Sequence, residues 1–470
     1  MRTTTRRSPA RRRLGVAAGL TLSAMALAAC SGGGDGGTDV TGDAGAGGGG
    51  GGASSGSCTN EIVNDDAEQV SVWAWYPSFE LVVDNFNQTH DDVQICWTNA
   101  GQGADEYTAF STAIEAGTGA PDVIMLESEV IPTFTIRDAL VDLSEYGAGD
   151  LEDQFTEGAW SDVTNGDAIY AIPVDGGPMG MLYRQDIFDQ YGVTPPTTWE
   201  EFAAAAQQLK DAGYEGYITN FPINGNAFIH ALLAQKGWEP FTYDAANPAE
   251  IGIDVSTAEA QEVLTFWDDL VDQGLVATDE AFTADYNTSL VDGTYAVYLA
   301  AAWGPGYLQG LSDADEGAVW RAAPIPQWEG EEPVQINWGG STFAVTTQAR
   351  NAELAAQVAK EVFGTEEAWD IGIEEAALFP LWKPVLESDE FATREYPFFD
   401  GQQIQGDVFL DAAAGYSGFT FAPFQTYVYD QQTEVLQSMI EGSADPQAVL
   451  DDFEQRLVAY ANSQGFTVVE

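Results

Sequence analysis

Apolar strands alternate with amphipathic helices twice along this chain, and that alternation restricts the fold more than any other feature. Residues 69–75 (QVSVWAW) read as a strand, and Phe79, Val82, Val83 and Phe86 then recur at helical spacing behind Pro77. Residues 93–97 (VQICW) are the next strand, a helix carrying Tyr107, Phe110 and Ile114 follows, and residues 121–126 (PDVIML) are the third strand. Strand, helix, strand in this order predicts βαβ units, and so a parallel sheet with helices on both faces. The pattern resumes in residues 170–183 (YAIPVDGGPMGMLY), where two apolar strands flank a Gly-Gly-Pro break. Thr198 is placed to cap a helix, with Glu201 completing a capping box, Trp199, Phe202, Ala206 and Leu209 on one face, and Gly213 ending it. Ser256 and Glu259 repeat the device before Val263, Leu264, Trp267, Leu270 and Val271, closed by Gly274. A strand after Gly340 (STFAVT) leads to a helix with Leu354, Ala355 and Val358, and two helices near 426–440 and 446–461 close the chain. The expectation is an α/β protein of two lobes.

The N-terminal region is of another kind. Its first 29 residues hold six arginines and no acid, ahead of an apolar run at 14–29. That is a charged region before a short hydrophobic one, too short to span a bilayer. Leu27-Ala28-Ala29-Cys30 looks like the lipobox of bacterial lipoproteins, which implies cleavage after residue 29 and acylation of Cys30. Each buried methylene of such an anchor contributes about 0.8 kcal/mol. The alternative is an ordinary secretory signal with an unrelated cysteine. Arg6-Arg7 suggests twin-arginine export, but the following residues fit that signal poorly, so the general secretory route is expected. Residues 31–57 are almost entirely Gly, Ser, Ala, Asp and Thr, a flexible tether with an r.m.s. reach of roughly 30 Å. Together these place the protein on the outer face of the cell membrane.

Without the leader's six arginines, ten of the sixteen Lys+Arg remain against 74 Asp+Glu. This excludes nucleic-acid binding by phosphate neutralisation and argues against an anionic ligand. No stretch has the spacing of a Ca²⁺ loop, so neither a metal nor a cofactor is expected. Among so many acids a pair of carboxylates is no sign of a glycosidase. The chain has two histidines and lacks GxxxxGK, HExxH and GxSxG motifs, so a binding protein is expected rather than an enzyme. With Cys30 acylated, Cys58 and Cys96 are left in an oxidising compartment, either as a disulfide or as two separate buried thiols.

The pieces VWAWYPSFELVVDNFNQTHDDVQI, AGTGAPDVIML, DAIYAIPVDGGPMGMLYRQDIFDQYGVTPPTTWEEFAAAAQQLKDAG, DGTYAVYLAAAWGPG and GSTFAVTTQARNAELAAQVAKEVF, in this order behind a lipobox and tether, resemble the solute-binding lipoproteins of ABC importers. The resemblance is to the maltose-binding-like, sugar-binding group of family 1. It implies a type II periplasmic-binding-protein-like clamp, each lobe a mostly parallel sheet flanked by helices and discontinuous in sequence. Crossings are expected near 174–178, 338–341 and 381–384, giving residues 58–176 and 340–382 to one lobe and 177–339 and 383–470 to the other. Ligand would lie in the cleft, and the closed form of a monomer would meet the membrane permease.

In open α/β sheets the carboxyl ends of strands face the crevice. Trp303 ends the strand in residues 298–307 (YLAAAWGPGY). It either stacks its indole on the apolar face of a sugar ring or caps its lobe's core. The same logic selects Trp75 and Tyr76, and Trp338 before Gly339-Gly340. Desolvated sugar hydroxyls need partners, at a cost of about 1–3 kcal/mol when unpaired. Candidates are Glu127, Asp175, Asn224 and Asp285, with Gln102 in the turn AGQGAD. Asp122 either belongs to this set or binds backbone; Trp238 and Trp382 lie either at the cleft or in packing. Trp73, Trp199, Trp267 and His230 are expected in the core and His90 in a loop. The preferred ligand is a neutral mono- or oligosaccharide. A polyamine or other cationic solute on the same scaffold is the alternative, and a glycan-acting enzyme a more distant one. Cations near strand ends are scarce, Arg184 and Lys383 being the exceptions, which disfavours phosphate or sulfate esters.

Overall fold

A computed structural model describes residues 58–243, 247–311 and 317–469; the leader, Cys30 and the tether lie outside them. Among the described residues no helix is long and apolar enough to cross a membrane.

The first sheet contains β1 (Glu68–Trp73), β2 (Val93–Thr98), β3 (Val123–Glu127), β4 (Ile172–Pro173) and β8 (Ser341–Val345), in the order β2-β1-β3-β8-β4. Strand β1 runs parallel to β2 and β3, as βαβ connections require, with Phe79–Thr89 and Ala104–Ala116 as the crossover helices. Strand β8 arrives from the far part of the chain and pairs antiparallel with both β3 and β4. The second sheet, of β5 (Met179–Arg184), β6 (Val297–Ala301) and β7 (Trp320–Pro324), has the order β6-β5-β7 and is antiparallel throughout. The α/β two-lobed architecture thus matches expectation, but strand direction is mixed rather than mostly parallel. Long returns of the chain supply the antiparallel partners, and local βαβ periodicity carries no signal for them.

Two hydrophobic cores form. One gathers residues between Val70 and Val174 with those between Phe343 and Leu381. The other gathers Met179 to Trp338 with Phe379 and residues 386–461. The three passages between cores lie side by side. Val174 N–H donates to Ser341 O (2.9 Å), Trp338 N–H to Gly177 O (2.7 Å), Gly176 N–H to Phe379 O (2.9 Å) and Leu381 N–H to Val174 O (3.0 Å). Gly177 lies so close to the Trp338 carbonyl that a Cβ there would overlap it. Only glycine permits backbones to approach in this way.

Local signals explain the helix starts. Thr198 Oγ1 accepts from Glu201 N–H (3.1 Å), while the Glu201 carboxylate reaches back to Thr197 N–H (2.8 Å). At the next device the cap is Thr257, accepting from Ala260 N–H (3.2 Å), and not Ser256 as the pattern suggested. Ser256 stands one residue outside the helix because its own N–H is held by Glu454 (2.9 Å) and its hydroxyl by Asp451 (2.6 Å). Cys58 and Cys96 are joined by a disulfide that ties the start of the described chain to β2.

Candidate functional site

The cleft between the lobes is built where β3 and β6 end. Glu127 closes β3, and its carboxylate accepts Gly340 N–H (2.8 Å) from the passage leading into β8. The surrounding protein desolvates it and pushes its pKa up to about 7. Two residues on, burial and the Glu127 charge push Glu129 up to about 8, beside the Tyr429 hydroxyl of the other lobe. Asp162 is pushed up to about 7 by burial, although it accepts Phe419 N–H (3.2 Å) and the Tyr416 hydroxyl (3.0 Å). Asp175 is buried and raised well above the usual carboxylate range; its oxygen accepts Phe379 N–H (2.6 Å). Among the described residues none of the four meets Lys or Arg in an ion pair. A cavity at this level is lined by Ser128, Asp162, Gly176, Asn337, Gly340 and Tyr416, residues of both lobes.

Across Gly339 from Glu127 stands an aromatic wall. Trp303 stands two residues beyond the end of β6 and is half-buried; its indole N–H donates to Trp338 O (3.3 Å), and the two rings meet edge-on at 4.9 Å. Gly339, at φ 81°, lies between this wall and Glu127: a Cβ there would stand 3.2 Å from the Glu127 oxygen and 3.8 Å from the Trp303 nitrogen. The strand-end rule therefore brings Glu127, Asp175, Trp303, Trp338 and Gly339 into one region.

Other candidates lie differently. Trp75 keeps partial exposure and meets Tyr107 edge-on at 5.8 Å, and the Tyr107 hydroxyl accepts Glu127 N–H (3.3 Å), so Trp75 flanks the site. Tyr76, three residues beyond β1, is turned inward, packs on Phe79 and Phe343, and donates to Ser341 Oγ (2.8 Å). Gln102 and Asp285 are exposed, in a turn and in the first turn of a helix respectively. Asp122 sits at the start of β3, some 16 Å of strand from Glu127. It is held by Ser71 N–H (2.8 Å) and the Arg350 guanidinium (2.7 Å), so the backbone-binding reading holds. Burial opposes its ionisation, but Arg350 and Ser71 outweigh that and keep its pKa lowered. Asn224 commits its amide to Ala281, accepting from its N–H (2.9 Å) and donating to its carbonyl (3.3 Å). Trp238 is 1% exposed, donates to Val255 O and packs on His230, which is a core residue as expected. Trp382 caps a short helix at the third passage and donates to Gln154 (2.9 Å). Arg184 pairs with Asp186, and Lys383 donates to Asp153 O, so neither serves the cleft.

Glu129, Asp162, Tyr416 and Phe282 escaped the sequence reading. Glu129 carries the signal of lying just beyond Glu127. The others come from helix ends and loops, to which a rule about strand ends is blind.

A two-lobed α/β clamp with its polar and aromatic groups converging between lobes is the architecture of a ligand-capturing protein. The family model for bacterial extracellular solute-binding proteins matches residues 74–369, and the chain belongs to that family. It is 24% identical over 314 residues to the arabinooligosaccharide-binding protein of Halalkalibacterium halodurans, covering 64% of this chain and 67% of that one. It is 21% identical over 321 residues to the lactose-binding protein of Rhizobium radiobacter, covering 64% and 71%. Among solved structures, an ABC transporter-associated binding protein of B. animalis subsp. lactis, in complex with β-1,6-galactobiose, superposes with a TM-score of 0.77 at 29% identity. It covers 86% of this chain and 100% of that one. The galacto-N-biose/lacto-N-biose I-binding protein of Bifidobacterium longum gives a TM-score of 0.75 at 22% identity, over 86% and 100%. The fold is that of type II periplasmic-binding-protein-like solute-binding proteins.

Proposed function

We propose that this protein captures a neutral oligosaccharide in the interlobe cleft and delivers it to the permease of an ABC importer. The observation that carries the reading is the pairing of the Trp303–Trp338 wall with the desolvated, cation-free carboxyls of Glu127 and Glu129. An indole offers a flat apolar face to a sugar ring, and a carboxyl exchanges hydrogen bonds with hydroxyls whether or not it is protonated. A polyamine needs these acids ionised, and the burial that raises both favours their neutral form, so the same geometry favours it less. The relatives named for arabinooligosaccharide, lactose and galactobiose support the sugar class. In this reading Trp303, Trp338, Gly339, Glu127, Glu129 and Asp162 meet ligand, Trp75 flanks it, and Asp175 holds the passages. The lobes are residues 58–176 with 340–382, and 177–339 with 383–470. The monomer acts on the outer face of the membrane, anchored through acylated Cys30 on the 31–57 tether, and the reading is binding without turnover.

A thermal-shift screen of the purified protein against disaccharides, oligosaccharides, polyols and polyamines tests this. A ligand at 100 times its Kd stabilises the folded state by about 2.7 kcal/mol, so a sugar hit is expected as a clear rise in Tm. A rise with spermidine and none with any glycan would refute the sugar class.

A further inference from the structure

We propose that Phe282 is a second stacking platform, one ring beyond Trp303, and that it makes the cleft selective for disaccharides and longer glycans over monosaccharides. The inference rests on the sugar-binding reading and extends it to ligand length. Phe282 has φ 65°, the left-handed region that bulky side chains avoid. The turn itself does not demand phenylalanine, since glycine or asparagine adopts this conformation at little cost. The next residue, Thr283, caps the helix Ala284–Val291 by accepting Tyr286 N–H (3.3 Å). Strained backbone of this kind persists where surrounding structure holds it and function uses it.

The holding structure is visible. Asn220 accepts Asp279 N–H (2.7 Å) and donates to Asp279 O (2.9 Å), and Asn224 does the same for Ala281 (2.9 and 3.3 Å). Two side-chain amides thus clamp alternate residues of the loop, as a neighbouring strand would, and Phe282 emerges immediately beyond the second clamp. The residue is 51% exposed, second among the exposed large apolar residues in the described part of the chain, so burial does not account for it. Yet it is not stray. Ring centroids place it 6.4 Å from Trp303, 6.2 Å from Trp338 and 5.7 Å from Tyr307. With Tyr286 at 6.2 Å as well, the phenyl extends the aromatic wall while about half of the residue's surface stays uncovered. An apolar ring that extends the Trp303 wall at a 42° tilt, on a clamped loop and half uncovered, offers its own face to a second pyranose or furanose ring set at an angle to the first.

The test is calorimetric titration of wild type, Phe282→Gly, Phe282→Tyr and Trp303→Ala with β-1,6-galactobiose, lactose and arabinobiose, and with galactose and arabinose. Phe282→Gly suits the backbone, so its apo Tm should equal or exceed that of wild type. Its affinity for the bound disaccharide should fall at least tenfold, with monosaccharide affinity changed less than twofold, and Phe282→Tyr should retain wild-type affinity. Undiminished disaccharide binding by Phe282→Gly, or equal losses for mono- and disaccharide, overturns the inference while leaving the sugar reading intact. Silence of wild type toward every glycan overturns both.

Discussion

Glu129 shows how burial alters the character of a single residue in the cleft. An unfolded glutamate titrates near 4.3, whereas in the fold Glu129 holds its proton to about 8 and Glu127 and Asp162 to about 7. Between these values the folded state binds more protons than the unfolded chain, so these groups make stability fall as pH rises from about 4 to 8. Glu129→Gln removes its share, and Tm measured across that range should fall less steeply than in wild type; an unchanged slope would contradict the assignment. Asp122 has the opposite sign. Its lowered pKa contributes stability that is present above about 4 and lost as pH falls below it. Asp122→Asn should cost about 1–3 kcal/mol in denaturant unfolding at neutral pH and leave ligand affinity unchanged. Sequence alone left Asp122 open because the partners that settle its contacts, Ser71 and Arg350, lie 51 and 228 residues away and no local pattern brings them to it. Trp303 was legible because an apolar run visibly stops at it. Phe282 was not, because its support is a pair of asparagine amides that resemble ordinary turn residues.

At the scale of elements, the lobes touch through close backbone approaches. Asp162 of one lobe is held by Phe419 N–H and the Tyr416 hydroxyl of the other, and Gln425 N–H donates to Thr133 Oγ1 (3.0 Å) across the same divide. In the helix Gly304–Leu311, Gly306 lies against Ala377, so close that a Cβ at 306 would overlap the alanine methyl. Gly306→Ala should therefore wedge the lobes apart, weakening ligand at least tenfold and enlarging the radius of gyration of the ligand-saturated protein in X-ray scattering. Unchanged affinity would show that this approach is not needed for capture. Strands and caps were largely readable, since the β1-helix-β2-helix-β3 order and Thr198 follow local rules. The antiparallel insertion of β8 beside β3 was not, because the two strands lie more than 200 residues apart and periodicity does not encode their pairing.

The whole molecule is two cores linked by three adjacent passages, which lets lobe closure be a shift between populations driven by contacts that need both lobes. The Cys58–Cys96 disulfide, 38 residues apart, belongs to this scale because it restricts the unfolded chain. Cys58→Ser with Cys96→Ser should lower stability by about 4 kcal/mol in the chain-entropy model, read from denaturant unfolding, with ligand affinity preserved. That the chain has two lobes could be read from its twofold run of strands and helices; which loops face each other across the cleft could not, because Asp162 and Tyr416 meet only after both lobes are assembled. The central claim is that the Trp303 wall and the cleft carboxyls form a sugar site. Calorimetric titration of β-1,6-galactobiose, lactose and arabinobiose into wild type and Trp303→Ala tests it most directly. The account predicts saturable binding of at least one glycan to wild type and a loss of roughly 100-fold or more in the variant, about 2.7 kcal/mol, with apo Tm nearly unchanged. A variant whose apo Tm collapses without selective loss of binding would make Trp303 a core residue and contradict the site.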